Sequence, residues 1–119
     1  MADRELAERR GRRGEAWALW FLRLKGHRIL GRRIKTRAGE IDLVTLSPLG
    51  PVCFVEVKVR STAAGAAEAV TAEQRTRIAR AACLYLAARP KLARRGARFD
   101  IVTVVGIPRH LPDAWRADG

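Results

Sequence analysis

The chain lacks long apolar runs: no segment approaches the roughly 18–20 consecutive apolar residues that a membrane span needs. Its first residues are charged, and no apolar stretch of the signal-peptide kind follows them, so we expect a cytoplasmic protein. Cysteine is scarce as well. Cys53 and Cys83 stand apart in apolar segments, with neither a Cys-x-x-Cys pair nor a histidine beside them. This excludes a disulfide scaffold and a zinc site, and predicts two small buried side chains.

Acidic residues are few. The 12 Asp and Glu are outnumbered by 24 Lys and Arg, which gives a formal net charge of +12. The excess is densest between Arg9 and Arg37, where 11 basic residues accompany a single acid, Glu15. Most of the basic residues are arginines, whose planar guanidinium suits phosphate oxygens. The sequence therefore predicts a polyanionic partner, and nucleic acid in particular.

Apolar periodicity and turn residues predict one domain in the order helix, three strands, helix, strand. The predicted helices cover residues 15–25 and 71–89, and the predicted strands cover 27–35, 40–46, 52–60 and 98–105. Residues 1–13 are interpreted as a basic arm, 14–107 as the domain and 108–119 as a tail. A right-handed crossover would make the last strand parallel to the third. The fold class is therefore α/β, with a mixed central sheet flanked by helices.

Each predicted helix has a packing face and end signals. The first helix is expected to pack through Trp17, Trp20, Phe21 and Leu24, and the second through Ile78, Ala82, Tyr85 and Leu86. Gly26 is placed to end the first helix in a left-handed conformation. Thr71 opens the second as its N-cap, and Gln74 completes a capping box. A loop is expected from Pro90 to the last strand.

The two central strands carry an unusual group of charges. A hairpin symmetric about Leu49 places Asp42 opposite Glu56 and Glu40 opposite Lys58, all on one face of the sheet. Ile41, Leu43, Val55, Val57 and Val59 would share the other face. Because opposed carboxylates repel each other, Asp42 and Glu56 need a compensating positive charge. Lys58 supplies part of it, and Mg²⁺ or Mn²⁺ suits the remainder better than zinc. The alternative is an exposed, charged end of a strand.

These segments resemble a known nuclease signature. The sequence GEIDLV at 39–44, followed by FVEVKVR at 54–60, resembles the D…ExK motif of the restriction-endonuclease-like nucleases. Over most of its length the chain is similar to the bacterial YraN family, uncharacterised proteins that are similar to archaeal Holliday junction resolvases. The resemblance implies a restriction-endonuclease-like core and a Mg²⁺- or Mn²⁺-dependent endonuclease that acts on DNA, structured or branched DNA above all.

The resemblance also implies roles for individual residues. Asp42 and Glu56 would bind the metal, helped by the backbone carbonyl of Val57. Lys58 would orient or activate the attacking water. Glu15 matches a helix-borne acid that approaches the metal in related nucleases, and the alternative is a favourable charge near a helix N-terminus. Glu40 is a supporting residue or simply an ion-pair partner of Lys58.

The chain departs from the family pattern at two positions. Arg33 stands where the family usually has Asn, and Gln74 stands where it usually has Lys. Gln74 is interpreted as a capping residue with a possible supporting role. Asp100, next to Arg98, is interpreted as an ion-pairing structural acid, and no role is assigned to His27 or His110.

Nucleic-acid contacts are expected from basic residues in the dense region and near the motif. They are Arg9, Arg10, Arg12, Arg13, Arg32, Arg33, Lys35, Arg37, Arg60, Arg75 and Arg77. Two other functions remain open from the sequence: a non-catalytic nucleic-acid-binding module of the same fold, and a basic protein that docks to other macromolecules. Resemblance to resolvases also suggests a homodimer, for which Trp17, Trp20 and Trp115 offer apolar surface.

Overall fold

A five-stranded mixed sheet with helices on both faces forms the core of the computed structural model. The structure describes residues 3–59, 70–105 and 107–117, with the side chains of 3–12, 105 and 107 left out. The elements in chain order are α1 (Asp3–Leu24), β1 (Arg28–Thr36), β2 (Gly39–Leu46), β3 (Val52–Val59), α2 (Ala72–Ala87), α3 (Pro90–Ala93), β4 (Ala97–Val105) and β5 (Ile107–Trp115). None of the described helices is long and apolar enough to cross a membrane.

The strands follow one another across the sheet in the order β1-β2-β3-β4-β5. All neighbours are antiparallel except β3 and β4, which are parallel and joined through α2, so the predicted parallel orientation of the last strand is confirmed. In the central hairpin, Leu43 pairs with Val55 and Leu46 with Val52, which is the predicted register about Leu49. The α/β class with a mixed sheet is therefore confirmed.

Each face of the sheet is covered by one long helix. On one face, Ala18, Leu19 and Leu22 of α1 pack on β2, β3 and β4. On the other, Ile78, Ala81, Ala82 and Tyr85 of α2 pack on Phe54, Phe99 and their neighbours. The predicted face of α2 is thus confirmed, but that of α1 is wrong. Trp17, Trp20 and Leu24 are exposed, because the sheet admits small and aliphatic side chains there and the larger ones turn outward.

The predicted caps of the two long helices are confirmed, but the predicted start of the first helix is wrong. Gly26 has a φ of 91°, and the His27 amide donates to the Leu22 carbonyl, which closes α1 as a Schellman motif. Thr71 and Gln74 form the predicted capping box of α2. The helix α1, however, begins at Asp3 rather than Glu15, so residues 3–13 of the predicted basic arm are part of this helix. After α2, Pro90 opens the short helix α3 where a loop was predicted.

The segment interpreted as a tail is the edge strand β5. It pairs with β4 in spite of its two prolines, which an edge strand tolerates because one side of it needs no ladder donor. Trp115 at its end is buried and stacks on Phe99 at 5.2 Å between ring centroids. Trp115 therefore belongs to the core and offers no surface for a dimer. Cys53 is buried as predicted, whereas Cys83 is exposed on α2.

Candidate active site

Three predicted site residues lie at the open end of the central hairpin, the end away from its turn: Asp42 near the start of β2, and Glu56 and Lys58 near the end of β3. The described ladder between β2 and β3 ends at Leu43–Val55 and does not extend to the predicted pairs Asp42–Glu56 and Glu40–Lys58. Instead, the backbone amide of Val57 donates a hydrogen bond to Asp42 Oδ2 at 2.8 Å. The carboxylate of Asp42 therefore takes the place that a strand carbonyl would occupy.

A break in the strand alternation explains this arrangement. Ile41 packs with Val44 on the α2 face, while Leu43 between them packs on the α1 face. Strict alternation would put Ile41 and Leu43 on the same face, as the sequence predicted, so that prediction is wrong. The strand must change faces at Asp42, which lifts this residue out of the regular ladder.

The neighbouring strand β1 changes direction at the same level. Arg33 has a φ of 48°, in the left-handed region that residues other than glycine and asparagine rarely adopt. Its neighbours remain paired with β2, Arg32 with Leu43 and Ile34 with Ile41. The irregular residue of β1 therefore lies at the level of Asp42. An Asn would tolerate this backbone geometry, whereas Arg33 adopts it at a cost in strain.

Burial disfavours the ionised form of both Asp42 and Glu56. Burial raises the pKa of Asp42 to about 7, and the charge of Glu56 adds to the effect. Burial also raises the pKa of Glu56, although Lys58 and a hydrogen bond with Asp42 partly offset it. Lys58 Nζ lies 3.2 Å from Glu56 Oε1, and both side chains are largely buried. The group therefore holds more carboxylate than its own lysine balances.

Glu15 of α1 approaches the same group from the other side. Its charge contributes to the raised pKa of Asp42. Its own carboxylate accepts a hydrogen bond of 2.8 Å from Arg33 Nε, and this ion pair raises the pKa of the guanidinium. Arg33 thus ties β1 to α1 next to Asp42, a role that an Asn at this position could not fill.

An open cleft of about 220 Å³ lies beside Glu56. It is lined by Gly39, Glu40, Glu56, Gln74, Arg77 and Ile78. The charge of Arg77 is close enough to lower the pKa of Glu56, in opposition to burial. Gln74 serves the capping box, with its Oε1 accepting from the Thr71 amide at 3.0 Å, and it also forms part of the cleft wall. Glu40 lies in the same cleft.

The donor set at this site is suited to a hard divalent cation. Asp42 and Glu56 offer oxygen atoms only, and burial disfavours the charge on both carboxyl groups until a cation balances it. Among the described residues no third His, Cys, Asp or Glu joins them in one cluster. Two carboxylates and backbone oxygens therefore fit a partly hydrated Mg²⁺ or Mn²⁺ ion better than a fully protein-bound zinc.

The predicted nucleic-acid contacts are distributed around this end of the sheet. Arg13, Arg32, Arg33, Lys35, Arg37 and Arg77 are exposed. Arg75 is half-buried, and its Nε donates to the Val70 carbonyl. The backbones of Arg9, Arg10 and Arg12 lie in α1, but their side chains and the whole of Arg60 fall outside the described residues.

A second polar cluster, which the sequence did not predict, lies near the opposite end of the sheet. Asp100 is fully buried and accepts hydrogen bonds from Arg98, from His110 Nε2 at 2.7 Å and from the Asp113 amide. Burial works against its charge, but these bonds outweigh that effect and lower the pKa of Asp100. The predicted pairing with Arg98 is confirmed.

Nothing in the sequence predicted that His27 and His110 belong to this cluster. His27 Nδ1 lies 2.9 Å from Thr45 Oγ1, and its ring meets that of His110 edge to face. Lys25 Nζ contacts His110 Nδ1 and so joins the end of α1 to β5. Burial and the positive charges around it lower the pKa of His27 to about 4. Because each partner lies on a different element, no local spacing could have revealed the group.

Fold and site together define a class. The molecule is an α/β protein with a restriction-endonuclease-like core, and a carboxylate pair with a lysine lies at the irregular end of its central hairpin. The sequence pattern described as "Uncharacterised protein family UPF0102" matches residues 14–104. The chain belongs to this family, which is the YraN family that the sequence motifs resembled.

Relatives from other bacteria are similar over nearly the whole chain. A UPF0102 protein of Paramagnetospirillum magneticum is 49% identical, with 96% of this chain and 92% of the relative covered. A UPF0102 protein of Parvibaculum lavamentivorans is 47% identical, with 92% and 84% covered. A third, from Agrobacterium fabrum, is 45% identical, with 94% and 93% covered. The names of these relatives state no activity.

Proposed function

We propose that this protein is a Mg²⁺- or Mn²⁺-dependent endonuclease that hydrolyses phosphodiester bonds in DNA, with structured or branched DNA as its substrate class. The observation that carries the proposal is the group of Asp42, Glu56 and Lys58. Burial raises the pKa of both carboxyl groups, which lie beside one lysine, at the end of a hairpin and next to an open cleft. Perturbed carboxyl groups in such a setting are characteristic of functional sites.

The carboxylates would hold the cation. Asp42 is oriented by the Val57 amide, and Glu56 is oriented by Lys58, so neither side chain needs to reorganise to bind. Binding would release the proton that the raised pKa of Asp42 retains near neutral pH. A bound Mg²⁺ or Mn²⁺ would act as a Lewis acid and lower the pKa of a coordinated water. The backbone carbonyl of Val57 and the carboxylate of Glu15 are further candidate ligands.

The basic residues of the site would bind the substrate. Lys58 would orient the attacking water and place a positive charge where the phosphate gains negative charge. Arg77, in the cleft beside Glu56, would contact a phosphate oxygen. Arg32, Lys35 and Arg37 are exposed on β1 and the turn after it, where they would hold the flanking DNA backbone. The motif's similarity to resolvases supports branched DNA as the substrate.

A cleavage assay tests the proposal directly. Linear, flapped and four-way DNA would be incubated with the protein in Mg²⁺, Mn²⁺ or EDTA. We expect cleavage in either metal, none in EDTA, and a loss of at least a hundredfold in rate for Asp42→Asn and for Glu56→Gln. The matched control is Glu73→Gln, the same chemical change at an exposed residue of the first turn of α2, and it should cut at the wild-type rate.

Two outcomes would overturn the proposal. Absence of cleavage of every substrate in both metals, with DNA binding retained, would favour a non-catalytic nucleic-acid-binding module. Absence of both cleavage and DNA binding would favour a basic protein that docks to other macromolecules. A metal titration followed by thermal unfolding separates the binding step from chemistry, because wild type should gain stability from metal and Asp42→Asn should not.

A further inference from the structure

The outer surface of α1 exposes two tryptophans that the core does not use. Trp17 and Trp20 are 58% and 59% exposed, while Ala18, Leu19 and Leu22 of the same helix are buried. At 100° per residue, Trp17 and Trp20 project from the side of the helix that faces away from the sheet. Large aromatic side chains are seldom left this exposed in neighbouring positions unless they contact a partner.

The surroundings of the two indoles are positively charged. The guanidinium of Arg23 lies over the Trp20 ring at 5.1 Å from its centroid. Arg13, one turn before Trp17, is exposed. The only acid between residues 13 and 25 is Glu15, and its carboxylate is engaged by Arg33. Cations therefore flank the two aromatic rings along this part of the helix.

The charge and the area of this surface argue against a second copy of the chain. A symmetric contact through α1 would bring two proteins of formal net charge +12 together. The exposed parts of two tryptophans and a leucine amount to roughly 400 Å², from about 150–250 Å² per aromatic side chain. A stable interface needs about 800 Å² from each partner. An anionic partner with flat apolar groups fits both the charge and the small area.

We propose that Trp17 and Trp20, flanked by Arg13 and Arg23, form a stacking surface for the unpaired bases of single-stranded DNA. Indole rings stack on bases of any sequence, and the arginines would contact the intervening phosphates. The inference rests on the proposed function in taking DNA as the ligand, and it adds that the substrate carries an unpaired strand.

The position of this surface relative to the candidate active site supports the same conclusion. Glu15, two residues before Trp17, contacts Arg33 beside Asp42. Gly14 packs against Val59, the residue after Lys58. Two residues correspond to about 3 Å along a helix axis, so the stacking surface begins close to the candidate catalytic residues. It would hold a displaced or flapped strand while the adjoining duplex lies on the basic residues of β1.

Binding measurements on single- and double-stranded DNA test the proposal. A labelled 20-nucleotide oligothymidine and a 20-base-pair duplex would be titrated in EDTA, with fluorescence anisotropy as the readout. Trp17→Leu and Trp20→Leu keep an apolar side chain but remove the ring. Each should weaken single-strand binding between about fivefold and a hundredfold and leave duplex binding within twofold. Trp17→Phe should restore most of the loss.

Leu24→Ala is the matched control, because Leu24 is 86% exposed on the same outer side of α1 but has no ring. It should bind both DNAs as wild type does. Unchanged single-strand affinity in the Trp17→Leu/Trp20→Leu double variant would overturn the proposal. So would an equal loss on both DNAs, or a dimer in light scattering that the double variant dissociates. Tryptophan-dependent single-strand binding without metal-dependent cleavage would support this surface while refuting the nuclease.

Discussion

At the scale of single residues, Asp42 determines the character of the candidate site. It accepts the Val57 amide, interacts with Glu56 and stands where β2 changes faces. A side chain that replaces a strand carbonyl is fixed in direction by the sheet itself. In this position the carboxylate of Asp42 is also removed from water, and this burial is the main cause of its raised pKa.

The raised pKa of Asp42 predicts a distinctive pH dependence of stability without metal. Its folded pKa of about 7 lies above the ordinary 3.8, so the folded state binds more protons between these values. The corresponding stability is present below pH 3.8 and is lost as the pH rises through about 7. We therefore expect Asp42→Asn to gain stability relative to wild type from pH 4 to 7, in urea unfolding with EDTA. A pH-independent difference would contradict the assignment.

Two substitutions of Arg33 separate the effect of backbone strain on stability from the effect of the ion pair with Glu15. Arg33→Asn and Arg33→Ala both remove the contact with Glu15, but only Asn tolerates a φ of 48° well. We expect Arg33→Asn to be more stable than Arg33→Ala by about 1 kcal/mol in urea unfolding. Because the lost ion pair is exposed on the Arg33 side, Arg33→Asn should lose little stability relative to wild type. Equal stability of the two variants would place the strain elsewhere.

At the scale of elements, the approach of α1 to the sheet depends on a glycine. A Cβ at Gly14 would lie 2.2 Å from Val59 Cγ2, and Val59 is too stiff at χ1 to move away freely. The absence of a side chain at this position lets α1 lie directly on the end of β3. This contact brings Glu15 to the candidate site, and with it the start of the exposed tryptophan surface.

A pair of substitutions tests this contact. Alanine in place of an exposed helical glycine usually adds up to about 1 kcal/mol, but here we expect Gly14→Ala to lose about 1–2 kcal/mol through overpacking. Val59→Ala removes the opposing methyl groups, so Gly14→Ala/Val59→Ala should be more stable than Gly14→Ala alone. Chemical denaturation of the four proteins gives the coupling energy. Additive effects would show that the helix and the strand do not meet here.

At the scale of the whole molecule, the second polar cluster joins elements that are distant in the chain. Thr45, Asp100 and His110 belong to β2, β4 and β5. His27 and Lys25 lie between the end of α1 and the start of β1. Buried and hydrogen-bonded, the group fixes the edge strand β5 on the sheet. Its stability should respond to acid because Asp100 must stay charged and His27 must stay neutral.

Acid should therefore weaken the fold through His27. Its pKa is lowered from 6.5 to about 4 by burial and by the cations around it, so its contribution to stability is complete above pH 6.5 and is lost as the pH falls toward 4. Relative to His27→Asn, which keeps an acceptor for Thr45, wild type should lose about 3 kcal/mol over this range. Urea unfolding at pH 4.5, 5.5 and 7 checks this. Parallel pH profiles would show that His27 does not titrate as described.

The distribution of positive charge predicts a salt-dependent affinity for duplex DNA. Each phosphate contact contributes about 0.9 to the slope of log K against log salt concentration. Arg32→Gln/Lys35→Gln removes two exposed charges of β1 beside the candidate site and should reduce the slope by about 2. The control Lys91→Gln/Arg94→Gln also removes two positive charges, but at α3, just before β4 begins. It should leave the slope unchanged. Equal slopes for both variants would mean that binding uses total charge and no defined surface.

The sequence alone determined most of the local structure and identified the candidate site residues. Hydrophobic periodicity located the two long helices, Gly26 fixed the end of α1, and the capping box of Thr71 and Gln74 fixed the start of α2, because these signals act between residues close in the chain. The register of the central hairpin followed from its turn and its apolar alternation. The motif containing Asp42, Glu56 and Lys58 was recognisable for the same reason.

Only the tertiary structure decided which surfaces are buried and how distant residues meet. Trp17 and Trp20 have the spacing of a core face, but the sheet accepts Ala18 and Leu22 instead, because Gly14 sets the rotation of α1 against β3. The tail became β5 because an open sheet edge offered it hydrogen-bond partners that no local pattern announces. His27 and His110 acquired a role for the same reason, since 83 residues separate them in the chain and only the folded sheet brings their rings together.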